Sequence, residues 1–140
     1  MRYWWVNQNQ TWRDEIRGGF MWSPKRKSNE SRNRFYDNMR IVAPGDIVFS
    51  YADTRIIAIG TVQSLAFESP KPLEFGKRGE NWSNVGWRVN IQYQELRQRI
   101  RPADYMAHIK PVLPAHDSPL TLDGKGYQHM YLAAVPEPMA

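Results

Sequence analysis

Bulky apolar and polar side chains alternate from Trp87 to Tyr93 (W-R-V-N-I-Q-Y), and this period of two predicts a half-buried strand. The opening run Arg2-Tyr3-Trp4-Trp5-Val6-Asn7 is β-branched and aromatic and predicts another. Trp4 and Trp5 must leave such a strand on opposite sides, so one is core and the other is exposed or lines a pocket. Ile47-Val48-Phe49-Ser50-Tyr51 follows the turn signal Pro44-Gly45-Asp46, and Ala52-Asp53-Thr54 leads into Arg55 to Val62. Together they predict a β-hairpin with a strongly apolar face.

Helical signals are short. Thr11 to Arg17 predicts a helix capped by Thr11, with Asp14 and Glu15 in its first turn and Gly18-Gly19 ending it. Phe35 to Met39 and Pro102 to Ile109 predict further helical turns. Residues 68–82 read as a loop, Pro111 to Gly126 as a long connection, and 126–132 as a last strand or a helix. Residues 135–140 read as a tail or linker behind a domain of 1–134. This order of strands, short helices and long loops predicts an α+β fold with a mostly antiparallel, curled sheet.

Composition changes the picture in two ways. A chain of 140 residues with 41% hydrophobic content supports one core, and its six Trp, seven Tyr and five Phe must largely fill it. With no Cys, disulfides, thiolate metal sites and Cys nucleophiles are excluded. No apolar run reaches a membrane span and the N-terminus lacks a signal-type apolar region, so the expectation is a cytoplasmic protein without membrane partners.

The charge is uneven. Lys25, Arg26, Lys27, Arg32 and Arg34 stand against the single acid Glu30 and account for most of the formal net charge of +5. Trp22-Ser23 precedes them directly. Clustered cations beside an exposed aromatic predict a surface that grips phosphates and stacks a planar group; the competing reading is a solvated polar loop. Lys77 and Arg78 form a second group, and Arg97, Arg99 and Arg101 alternate in a way that could set them along one strand face. Catalytic signals are thin. His108, His116 and His129 lack metal-ligand spacing, and no nucleophile elbow, phosphate-binding glycine loop or H-E-x-x-H is present. The residues predict a binding module with no metal and no cofactor.

The blocks YWWVNQNQTW, GGFMWSPK, FYDNM, VAPGDIVFSYADTRIIAIGTV, NWSNVGWRV, IRPADY and SPLTLDGKGYQHMYL resemble the EVE domains of the PUA-like superfamily. The version at the N-terminus of modification-dependent HNH endonucleases is the nearest in pattern. The resemblance implies a twisted PUA-like barrel with short peripheral helices and a pocket for a flipped, modified base, typically a modified cytosine such as 5-methylcytosine or 5-hydroxymethylcytosine. It further implies double-stranded DNA as partner, a role in restriction of modified phage DNA, and a C-terminal HNH nuclease domain in full-length relatives. A YTH-like reader of methylated RNA is the alternative.

On that reading Trp22 stacks on the base and Ser23 meets a base edge, or else Trp22 is core and Ser23 shapes the turn. Asn7 and Asn38 each carry an amide able to read a Watson–Crick edge or to satisfy local backbone. Tyr51 is a further candidate. Of Trp82 and Trp87, one walls the pocket and the other packs in the core, with Trp87 favoured for the core. The backbone candidates are Lys25, Arg26, Lys27, Arg32, Arg34, Lys77 and Arg78.

Overall fold

The computed structural model describes residues 1–9, 11–25, 34–75, 85–114, 118–120, 124, 131–136 and 139. Seven strands form its frame: β1 (Tyr3–Asn7), β2 (Phe20–Pro24), β3 (Ile47–Ala52), β4 (Arg55–Val62), β5 (Phe67–Pro70), β6 (Val85–Ile100) and β7 (Leu132–Val135). The helices are short: α1 (Trp12–Gly18), α2 (Arg34–Asp37) and α3 (Met106–Ile109), with 3-10 turns beside the last two. The sheet runs β2-β6-β4-β3-β1-β7, and β5 pairs with β6. Every pairing is antiparallel except β1 with β3. The expected α+β fold with a curled, mostly antiparallel sheet is what the chain adopts.

Strand β6 is the spine. Its first half pairs with β2 and with β5, and its second half with β4. The predicted alternation from Trp87 to Tyr93 is realised there: Val89 and Ile91 enter the core with Trp4, Val6, Met21, Met39, Val48, Val62 and Leu132.

Both faces of β1 are covered, and the expectation that one tryptophan is core while the other lines a pocket holds, Trp5 being the one at a cavity with Phe49, Ile56 and Tyr105. Trp4 packs in that core, while Trp5 joins a second cluster with Tyr51, Leu120 and Val135 on the other side. Both are buried because the segment after β6 supplies Met106, Ile109 and Leu113 as a second layer. The expected tail is also partly structural. Val135 closes β7 opposite Tyr3, and Met139 packs against the second cluster.

Two turns set the register. In Pro44-Gly45-Asp46, Gly45 takes φ 92° and its N–H donates to Val62 O at 2.9 Å. The Asp46 carboxylate then accepts the N–H groups of Arg2 and Ala43 and Trp4 Nε1–H, each at 3.0 Å. Burial alone would raise its pKa, but these donors and the nearby N-terminal ammonium hold it below the usual range. Asp46 thereby ties β1 to β3.

At the β3–β4 hairpin, Asp53 and Thr54 both take positive φ, 51° and 65°, the twist that a two-residue hairpin demands. A β-branched residue is strained there, at a cost of about 1–2 kcal/mol. Thr54→Gly is therefore expected to stabilise the fold by about 1 kcal/mol, allowing for the greater freedom of glycine in the unfolded chain. Urea denaturation checks it; a lower midpoint would show that the Thr54 hydroxyl, bonded to Asp53 O at 2.5 Å, outweighs the strain.

Candidate nucleic-acid interface

Helix α1 turns a polar edge inward. Thr11, expected to cap it, makes no side-chain cap; its hydroxyl donates instead to Glu15 Oε2 at 2.8 Å. Gly19 ends the helix in the left-handed conformation, φ 71°, and reverses the chain into β2. This places the fully buried Glu15 carboxyl beneath the new strand, where Oε1 accepts Trp22 N–H at 2.8 Å and Tyr131 O–H at 2.5 Å. The Tyr131 oxygen also accepts from Trp22 N–H, at 3.0 Å.

A second polar chain runs alongside. Ser50 Oγ–H donates to Gln8 Oε1 at 2.5 Å, Gln8 Nε2–H to the Tyr93 oxygen at 3.0 Å, and Tyr93 O–H to Phe20 O at 2.9 Å. Backbone groups of both Phe20 and Trp22 are thus held from below by side chains of distant segments.

Burial pushes Glu15 up to about 7; the hydrogen bonds from Tyr131, Trp22 and Thr11 offset part of that, and neighbouring Asp14 adds to it. Burial, and then the Glu15 charge, keep Tyr93 and Tyr131 well above the ordinary phenol range, as neutral donors.

Above this floor lies the predicted pair. Trp22 is not exposed as expected: it is 1% accessible, sits edge-on to Phe75 at 5.9 Å between centroids, and donates Nε1–H to Ser69 O at 3.1 Å. The reason is β6. Trp22 pairs with Arg88 and Ser23 with Trp87, and a Cβ on Gly86 would stand 2.6 Å from Trp22 Cζ2, so the indole packs directly on glycine backbone. Among the described residues Ser23 Oγ is buried without a hydrogen-bond partner, as is Trp5 Nε1 in the second cluster.

Trp87, favoured for the core, is only half-buried. It packs at the core's edge with Lys25 Nζ 4.5 Å and Arg40 Cζ 5.3 Å from its ring centroid. Arg88 lies 4.2 Å from the Phe20 ring, and Lys25 also pairs with Glu68 on β5.

The other candidates divide. Tyr51 packs on Trp5, 5.1 Å between centroids, in the second cluster and not with Trp22. Asn38 donates its amide to Leu132 O at 2.8 Å, and Asn7 Oδ1 accepts Asn9 N–H at 3.2 Å, so both serve backbone. Arg26, Lys27, Arg32, Lys77, Arg78 and Trp82 lie outside the described residues, as does the Arg34 side chain.

Sequence reasoning missed Glu15, Tyr131, Tyr93, Gln8 and Arg40. Thr11, Glu15 and Gly18 fall on one face of α1 without an apolar residue, which by periodicity reads as solvent-facing, so nothing in the sequence signalled the burial of Glu15. Among the described residues no group of His, Cys, Asp and Glu could hold a metal, and no helix is long and apolar enough to cross a membrane.

No family model and no curated protein matches this chain. Solved structures do. A Leishmania major protein aligns over 99% of this chain and 89% of its own, with TM-score 0.61 and 11% identity. Human THYN1, in complex with 5-methylcytosine-containing DNA, aligns over 99% and 93%, with TM-score 0.60 and 13% identity. A variant of the ZmASCH protein from Zymomonas mobilis aligns over 99% and 94%, at 0.55 and 7%. The fold is PUA-like. At these identities the likeness establishes architecture, and the chemistry has to be argued from this chain's own side chains.

The Glu15 carboxyl generates a pH dependence. Between about pH 4.5 and 7 the unfolded carboxyl has lost its proton while the folded one keeps it, so the folded state binds more protons and stability falls as pH rises. The full loss across that window is about 3 kcal/mol. Glu15→Gln should remove the slope and be the more stable form at pH 8. Denaturation midpoints at pH 5 and 8 check it; equal slopes in both proteins would mean that Glu15 is ionised throughout.

Proposed function

We propose that this chain is an EVE-type reader of modified cytosine in double-stranded DNA, working by base flipping as the specificity domain of a modification-dependent restriction system. The observation that carries the reading is the orphaned Ser23 hydroxyl, opposite Trp87 in the β2–β6 ladder and on the face where Lys25 and Arg40 rest on that ring. The shared architecture with THYN1, solved with 5-methylcytosine-containing DNA, supports it.

A buried polar group without a partner costs about 1–3 kcal/mol. That cost penalises the closed arrangement and falls on an atom suited to a base edge. Moving Lys25 and Arg40 off Trp87, the half-buried ring on the face of Ser23, exposes a surface whose stacking contributes about 1–3 kcal/mol per base, comparable with the few kcal/mol needed to extrude one. Lys25 and Arg40 then meet phosphates beside the gap. Burying one methyl contributes only about 1 kcal/mol. Stronger discrimination requires a polar group that the wrong base leaves unpaired, and Ser23 is the group placed for it. Chemistry on the DNA would belong to a partner nuclease domain of the HNH type; the described residues offer this chain a binding role.

Ser23→Ala separates this reading from a purely structural one by sign. Removing the orphan should leave stability unchanged or raise it by about 1 kcal/mol, while affinity for a duplex with one 5-methylcytosine falls towards that for plain duplex. Lys25→Gln should weaken both duplexes alike and reduce the salt slope of log K by roughly 1. Fluorescence titration against modified duplex, plain duplex and methylated RNA at several salt concentrations reads affinity and slope, and thermal unfolding reads stability. Unchanged modified-over-plain selectivity in Ser23→Ala would place the base elsewhere, and preference for the RNA would replace DNA as the partner.

A further inference from the structure

At the other end of β6 the same construction recurs. Arg13 Cζ lies 4.8 Å and Arg99 Cζ 5.0 Å from the ring of Trp12, which is half-buried at the start of α1. The approach depends on a break in the β4–β6 ladder. Ala58 pairs with Glu95 and Ile56 with Ile100, so residues 96–99 of β6 stand against Ile57 alone. The surplus lifts Arg97, Gln98 and Arg99 off the regular register. Basic residues expected along one strand face are therefore displaced into a bulge, and Arg99 is carried to α1.

We propose that Trp12, Arg13 and Arg99 form a second phosphate-binding surface, which holds the duplex at a distance from the base site. This inference rests on the DNA-reading function above. Two guanidiniums sharing one indole repel each other, and neither has a carboxylate partner among the described residues, where Arg101 is the arginine paired, with Asp104 at 4.0 Å. A polyanion beside them offsets that repulsion. Stacking on the ring also fixes the planar forks, so less side-chain freedom is lost when they engage phosphate oxygens. Arg97 beside them and Arg17, one turn along α1 from Arg13, extend the positive field.

The occupant follows from continuity. Trp87 with Lys25 and Arg40 stands twelve residues before Arg99 on the same strand. At about 3.3 Å per residue that separation is at most about 40 Å, or about 12 base pairs of duplex. A short acidic peptide could satisfy either cluster; one stiff, evenly charged rod spans both.

The test uses duplex length. Duplexes of about 10 and about 30 base pairs, each with one central 5-methylcytosine, are titrated against the unaltered protein, Arg13→Gln, Arg99→Gln and Lys25→Gln. The arginine variants should weaken the long duplex about fivefold to tenfold and lower its salt slope by about 1 each, leaving the short duplex unaffected. Lys25→Gln should weaken both lengths. Arg99→Lys should retain most of the salt slope. Equal loss on both lengths, or no loss on either while Lys25→Gln still acts, would overturn the second surface and leave the reader function standing. Polyglutamate that binds as tightly as the long duplex and loses affinity in Arg99→Gln would assign the surface to acidic protein instead. If no duplex binds at any salt concentration, the reader function fails, and the second surface with it.

Discussion

The buried carboxyl of Glu15 is the constraint on which the candidate site depends. A carboxyl group removed from water must be neutralised or surrounded by donors, and here the donors come from three places: Thr11 just before its own helix, Trp22 in the middle of β2, and Tyr131 just before β7. Segments far apart in the chain must meet for the group to be satisfied. The polar cluster therefore specifies geometry as well as costing stability, because any slip of β2 along β6 would leave the carboxyl without the Trp22 N–H. Tyr93 and Gln8 repeat the device at Phe20.

That floor explains how a strand can present tryptophan and serine while hiding both. The indole of Trp22 finds its space because Gly86 has no side chain, and its ring nitrogen is satisfied by Ser69 O on β5. The hydroxyl of Ser23 has no comparable partner. Among the described residues it shares that condition only with Trp5 Nε1, in a molecule that pairs even Asp46 with three donors.

The cations show a related economy of design. Lys25 and Arg40 rest on Trp87, Arg88 on Phe20, and Arg13 and Arg99 on Trp12. Each cationic head lies over an aromatic ring, and that of Lys25 also meets Glu68. The large aromatic content thus serves two purposes, filling the core and ordering charge at the surface.

The sequence by itself determined the local elements: the first strand, the 47–62 hairpin, the alternation after Trp87, the glycine stop at Gly19 and the absence of metal-site spacing all follow from period, turn chemistry and composition. It also placed the resemblance that pointed to a PUA-like fold. Tertiary structure decided which side chains share a space. Trp4 and Trp5 are both buried because a second layer covers β1, a fact no strand pattern contains. Trp22 is enclosed and Trp87 half-open because β2 pairs with β6 over Gly86. Arg99 reaches Trp12 because β6 bulges against β4. Glu15, a first-turn acid by its position in the chain, is a fully buried carboxyl whose pKa is raised by that burial. Periodicity reports which face of an element is apolar; what stands opposite that face depends on contacts between residues as distant as Glu15 and Tyr131, and those are fixed only when the sheet closes.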